Sequence, residues 1–142
     1  NGEENLDMKT ISKLKKELDK WFSLFIRLRD ADSNGNVVCF TCGITKHYKS
    51  GMQCGHFQSR RHLATRFDEL NCQPQCVKCN MFEQGEQFKF HIKLNAKYGE
   101  GTSLDLQKKA MRSVKFTRED YNKKISYYKS SVKNLKKDKQ ID

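Results

Sequence analysis

Two Cys-x-x-Cys pairs, Cys39/Cys42 and Cys76/Cys79, offer the soft thiolate donors that a tetrahedral zinc ion takes. Four such ligands close the coordination shell and leave no position for substrate, so the expected zinc is structural. The spacing, in a basic chain with nothing pointing to an oxidising compartment, favours zinc over disulfides. The remaining cysteines, Cys54 and Cys72, could form a second partial site, but no partners at a convincing spacing accompany them, and they are expected as buried free thiols. Between the pairs lies CGHFQSRRHLATRFDELN, which carries His56 and Asn71, and Asn80 follows Cys79 directly. Singly, each has a plain structural explanation: a histidine beside Phe57 packs in a core, and an asparagine bonds nearby backbone. A His–Asn–Asn series nested inside a cysteine frame is much rarer than any of its members.

That series resembles the HNH, or ββα-metal, nucleases, with His56 at the first His, Asn71 at the middle Asn and Asn80 at the final His/Asn. The CxxC…CxxCN frame is similar to the endonuclease VII family of junction-resolving phage enzymes. The wider string CFTCG…CGHFQSR…TRFDELNCQPQCVKCN most resembles the NinG (Rap) family of phage recombination proteins, over residues 39–85. The resemblance implies a metal-dependent DNA endonuclease in the cytoplasm of a bacterial host, acting on branched recombination intermediates such as Holliday junctions alongside other recombination proteins. It makes His56 the general base. Asn71 would orient the His56 loop through backbone hydrogen bonds. Asn80, on a helix whose first turn zinc fixes near Cys76, would ligate one catalytic Mg²⁺ or Mn²⁺. Many HNH enzymes carry an Asp or His before the first His as a second metal ligand, and here Gly55 stands there. The replacement would be water, substrate phosphate, or a side chain such as Gln84, Glu83, Asp68 or Glu69, with weak metal affinity in the absence of DNA.

The net charge of +11 in 142 residues, with 36% apolar and 32% charged residues, suits a polyanionic partner. Arg60, Arg61 and Arg66 follow His56, and Lys46 and Lys49 precede it. These residues are expected to flank the cleft and neutralise phosphates. No base-reading helix is evident, so DNA structure rather than sequence is the expected target. No apolar run is long enough for a membrane span, and no charged-then-apolar leader points to secretion. Asp30, Asp32, Asn34 and Gly35 imitate the start of an EF-hand loop, but the twelfth position is Thr41, which excludes that reading. Competing functions are a zinc-stabilised DNA-binding module without catalysis, a structural adaptor, and a sequence-specific HNH nuclease.

The elements that must position these residues predict an α+β fold, read as one domain over residues 1–142. A helix is expected over 6–30, from the apolar spacing of Ile11, Leu14, Leu18, Trp21, Phe22, Phe25 and Leu28. A zinc-HNH core over 37–85 comprises a strand from Val37, a small hairpin and a helix from about Cys76, which Gly85 interrupts or ends. Residues 86–142 read as mainly helical and basic. Within them the alternation of Phe88, Phe90, Ile92 and Leu94 favours a strand, although its length permits a helix. Leu104 to Ser113 reads as a short helix. Thr117 is an expected N-cap, paired with Asp120. Beyond it, Tyr121, Ile125, Tyr128, Val132 and Leu135 form a stripe that suits packing on the first helix or a homodimer seam.

Overall fold

The computed structural model describes residues 9–142. Helix α1 (Ile11–Arg29) leads into two antiparallel hairpins, β1–β2 (Asn36–Val38, Thr45–His47) and β3–β4 (Met52–His56, Cys72–Cys76). A single helical turn, α2 (Leu63–Arg66), lies between β3 and β4. A π-helical turn (Lys78–Phe82) follows, then α3 (Gln87–Tyr98), α4 (Thr102–Ala110) and α5 (Arg118–Lys139). The arrangement is the expected mix of helices with small antiparallel sheets.

The predicted start of α1 at Leu6 lies outside the described residues, and the helix begins only at Ile11. Thr10 sets that boundary, because its hydroxyl accepts a hydrogen bond from the Lys13 amide at 3.1 Å. Leu14, Leu18, Phe22 and Ile26 recur every fourth residue and, with Leu28, form the buried face. Ile11 is exposed, and Trp21 and Phe25 are half-buried at the edge of the core. At the other end of the chain Thr117 and Asp120 form the expected capping box, with reciprocal bonds of 3.1 and 2.8 Å. Tyr121, Ile125 and Tyr128 of α5 share one core cluster with Leu14, Leu18, Phe22 and Ile26. Arg118 reaches the Lys9 carbonyl, and Lys139 reaches the carbonyls of Arg29 and Ala31, so the two helices run parallel. The stripe is therefore covered within the chain, which removes the reason for reading it as a dimer seam.

Two boundaries differ from the sequence reading. Cys76 closes β4 instead of opening a helix, and the chain then winds into a π-helical turn closed by the Glu83 amide on the Lys78 carbonyl at 2.8 Å. Gly85, at φ 81°, ends that turn with its amide on the Cys79 carbonyl. The segment that reads as an alternating strand is helix α3. Only Phe90 and Leu94, four residues apart, are buried there, while Phe88 and Ile92 are exposed. Alternation misleads because those two apolar residues cover nothing. Phe90 and Leu94 join Phe57 and Leu106 in a small core that fastens α3 and α4 to the end of β3.

Candidate functional site

Cys39, Cys42, Cys76 and Cys79 converge, their sulfur atoms all within 4.8 Å of one another. The Cys42 and Cys76 sulfurs are 3.7 Å apart. A tetrahedron of Zn–S bonds of about 2.3 Å has edges of about 3.8 Å, so the cluster fits zinc. Burial opposes a Cys39 thiolate, but backbone hydrogen bonds from Cys76 and Cys42, helped by Thr41, outweigh it and lower its pKa to about 6. Burial and the neighbouring Cys76 and Cys42 thiols push Cys79 up to about 12, as expected for thiols that ionise together only around a cation. The cluster ties the end of β4 and the π-helical turn to the loop after β1.

Next to this cluster lies a cleft of about 810 Å³. Among the described residues β3 pairs only with β4, and side chains from both faces of the strand reach the cleft. Gln53, Cys54 and His56 come from β3, Asp19, Phe22 and Ser23 from α1, and Asn80, Met81 and Gln84 from the turn that follows Cys79. His56 and Asn80 thus line one cavity.

The His56 ring is fixed. Its Nε2 lies 2.9 Å from the Arg66 carbonyl oxygen. A carbonyl only accepts, so Nε2 carries the proton and the Nδ1 lone pair of the neutral ring is left free. Burial lowers the His56 pKa from its ordinary value, against the opposing effect of the Arg66 carbonyl, and favours that neutral ring. The carbonyl is held by the loop around Asn71, which is fully buried. Asn71 Oδ1 accepts from the Gln58 amide at 2.7 Å, and Nδ2 donates to the Gln58 and Thr65 carbonyls at 3.1 and 3.0 Å. One amide side chain therefore joins the exit of β3 to α2.

Asn80 Nδ2 donates to Gln53 Oε1 at 2.7 Å, which leaves Asn80 Oδ1 free. Gln53 faces Gln75 across the β3–β4 ladder, so the two side chains share a face. Gln75 is fully buried, its Nε2 fixed by Thr41 Oγ1 at 3.0 Å and the Gly85 carbonyl at 2.9 Å. Its Oε1 has no donor partner. Of the side chains considered as substitutes for a ligand at Gly55, Gln84 lines the cleft, while Glu83 is exposed and does not. Asp68 pairs with Lys109 and accepts from the Leu70 and Asn71 amides, and Glu69 accepts from the Tyr128 hydroxyl. Both acids are engaged away from the cleft.

The basic residues separate. Arg60 lines the cleft, and Arg61 borders a neighbouring groove with His62. Arg66 grips both oxygens of Asp19 and the Arg60 carbonyl, so it is a structural strut instead of a free phosphate ligand. Lys46 lines a separate groove beside Cys42 and Cys76, and Lys49 lies over the Tyr48 ring. Neither lysine borders the cleft around His56.

Sequence reasoning missed Gln53, Gln75 and Asp19. The alternation of Gln53 and Gly55 on one strand with Gln73 and Gln75 on the other is its only local trace. Cys54 and Cys72 do have a partner, because their sulfurs lie within 4.8 Å of a His56 ring nitrogen and of each other.

Residues 3–138 match the family model described as the bacteriophage lambda NinG protein. Proteins called ninG from Escherichia phage 933W and Salmonella phage P22 are each 25% identical over 122 residues, 85% of this chain and 57% of the relative. The ninG protein of Escherichia phage lambda is equally similar, with 56% of its length covered. The chain therefore spans somewhat more than half the length of these relatives. No solved structure matches. Among the described residues, no helix is long and apolar enough to cross a membrane. Matched along nearly its whole length, the chain belongs to the NinG family of phage proteins.

Proposed function

We propose that the chain is a metal-dependent endonuclease of the HNH type that cleaves branched DNA, with Holliday junctions the favoured substrate. The supporting observation is the His56 ring, fixed with Nε2–H on the Arg66 carbonyl and facing the cleft that Asn80 also lines. The order of two antiparallel strands followed by a helical turn, with the histidine on the first strand and the asparagine on the turn, accords with a ββα-metal core.

In this reading His56 Nδ1 takes the proton of the attacking water. Asn71 keeps the Arg66 carbonyl in place and so preserves the tautomer. Arg60 meets the phosphate backbone at the cleft. The free Oδ1 of Asn80 is a hard oxygen donor at the cleft, and it suits Mg²⁺ or Mn²⁺ better than a soft ion. Such a cation, when bound, would polarise the scissile phosphate and stabilise the departing 3′ oxygen. That donor is neutral, so tight binding needs the phosphate's charge. The zinc cluster holds the turn that carries Asn80 and takes no part in hydrolysis.

The test is incubation of wild type and His56→Ala with a four-way junction, a fork and a linear duplex, with Mg²⁺, Mn²⁺ or chelator. Cleavage of branched substrates by wild type, lost in His56→Ala while DNA binding persists, is the expected result. Binding without cleavage in any metal would leave a zinc-stabilised DNA-binding module. Cutting of linear duplex at one sequence would indicate a sequence-specific nuclease.

A further inference from the structure

We propose that Cys54, His56 and Cys72 form a second metal site, for a thiophilic divalent cation such as zinc, whose filling withdraws the His56 imidazole from catalysis. The inhibitory half rests on the reading of His56 as the base; the binding half does not.

His56 and Cys72 are direct partners in the β3–β4 ladder, and Cys54 lies two residues before His56, so all three side chains project from one face. That face meets α1, where Cys72 is in the core with Phe22 and Cys54 packs at its edge. Two thiols and one ring nitrogen lie within 4.8 Å of one another. Zinc bonded to two sulfurs and one imidazole needs separations of about 3.5–3.8 Å, so no edge need close by more than about 1.3 Å. The Arg66 carbonyl tethers two of the three residues, accepting from His56 Nε2 at 2.9 Å and from Cys72 Sγ at 3.5 Å, so the ring offers a metal its Nδ1 lone pair.

Cys54 and His56 line the cleft while Cys72 lies fully buried behind them. Three protein ligands therefore leave a fourth corner open to the cleft, where water completes the shell. Sulfur and imidazole donors select zinc, cadmium or cuprous copper over Mg²⁺, so this site does not compete for the ion that a phosphate needs. Binding releases the two thiol protons to solvent, with no change of oxidation state. Cys76 of the first cluster lies four residues along β4 from Cys72, about 13 Å away at the rise of a strand, so the two ions are separate.

The experiment titrates Zn²⁺ into the reduced full chain and counts bound ions by native mass spectrometry, with cobalt absorption as a second reading of thiolate ligation. Wild type should take two ions, and Cys54→Ser and Cys72→Ser one. Cys54 is half-buried, so its variant gives the decisive reading if Cys72→Ser does not fold. In cleavage assays with Mg²⁺, the second equivalent should inhibit wild type. Cys54→Ser should need on the order of 10-fold more zinc or more, since losing even an outer partner of a ligand weakens binding by about 10–100-fold. A single ion in wild type, or an undiminished second ion in Cys54→Ser, overturns the site. A second ion that binds without slowing cleavage overturns the inhibition. If the one-zinc chain cleaves nothing, the nuclease reading falls while the ion count still decides the site.

Discussion

The Oε1 atom of Gln75 occupies the space where a side chain on Gly55 would begin: a Cβ on Gly55 would meet it at 1.9 Å. Gln75 cannot swing aside freely, because Thr41 and the Gly85 carbonyl hold its amide nitrogen in a fully buried setting. The glycine before His56 and the glutamine on the facing strand are thus complementary in size. Gly55→Ala should cost about 1–3 kcal/mol by overpacking. Gly55→Ala/Gln75→Ala should be less unstable than the sum of its singles by about 0.5–3 kcal/mol. Denaturant midpoints of the four proteins check this, and strict additivity would dismiss the complementarity.

Asn71 makes three hydrogen bonds to the backbone that carries and faces His56. Asn71→Ala leaves the Gln58 amide and the Gln58 and Thr65 carbonyls short of a partner. Each such buried group costs about 1–3 kcal/mol. The variant should unfold at markedly lower denaturant and lose cleavage even where it remains folded. A stable variant with full activity would show that the loop does not depend on this side chain.

Burial holds the His56 pKa below 6.5, with the Arg66 carbonyl as a partial counterweight. A base must be neutral, so the rate should climb with pH along an acid limb centred below 6.5, the midpoint of an unperturbed imidazole. The stability contribution has the same sense. It is complete above the unfolded pKa and is lost as pH falls through the lower folded pKa. A pH–rate profile for junction cleavage, with denaturation midpoints over the same range, checks both; an acid limb centred above 6.5 would contradict the environment described.

Arg60 and Arg66 should separate experimentally. Arg60 lines the cleft, so Arg60→Ala should weaken DNA binding and reduce the slope of log affinity against log salt by about one unit. Arg66 is bound to Asp19, with the two side chains only 16% and 20% exposed. Arg66→Ala should leave the salt slope unchanged and lower stability by about 1–3 kcal/mol. Binding isotherms over a salt series, alongside denaturation, distinguish the two roles.

Removal of zinc should undo the region around β1, β2 and the end of β4. Cys39, Cys76 and Cys79 are themselves part of the buried cluster that contains Val37, Tyr48 and Met52. A closed thiolate zinc site contributes on the order of 10 kcal/mol, comparable with the whole stability of an ordinary domain. Chelation, or Cys76→Ser, should therefore abolish the cooperative thermal transition seen with zinc. A transition unchanged after complete zinc release would exclude the structural role.

The features legible in the sequence are the local ones. Cys-x-x-Cys spacing places two sulfurs on one ion whatever the rest of the chain does, and the four cysteines do converge. Thr117 and Asp120 cap α5 because the bonds involved span only three residues. The apolar spacing of α1 and α5 follows from the helical repeat. What the local pattern leaves open is which side chains are covered. Phe88 and Ile92 fit a strand as well as Phe90 and Leu94 do, until packing against Phe57 and Leu106 buries only the second pair. Arg66 reads as a phosphate ligand until α1 brings Asp19 against it from 47 residues away. The β3–β4 register sets Gln75 against Gly55 and gathers Cys54, His56 and Cys72 on one face. Register and burial belong to contacts between distant segments, and those are fixed only when the whole chain has packed.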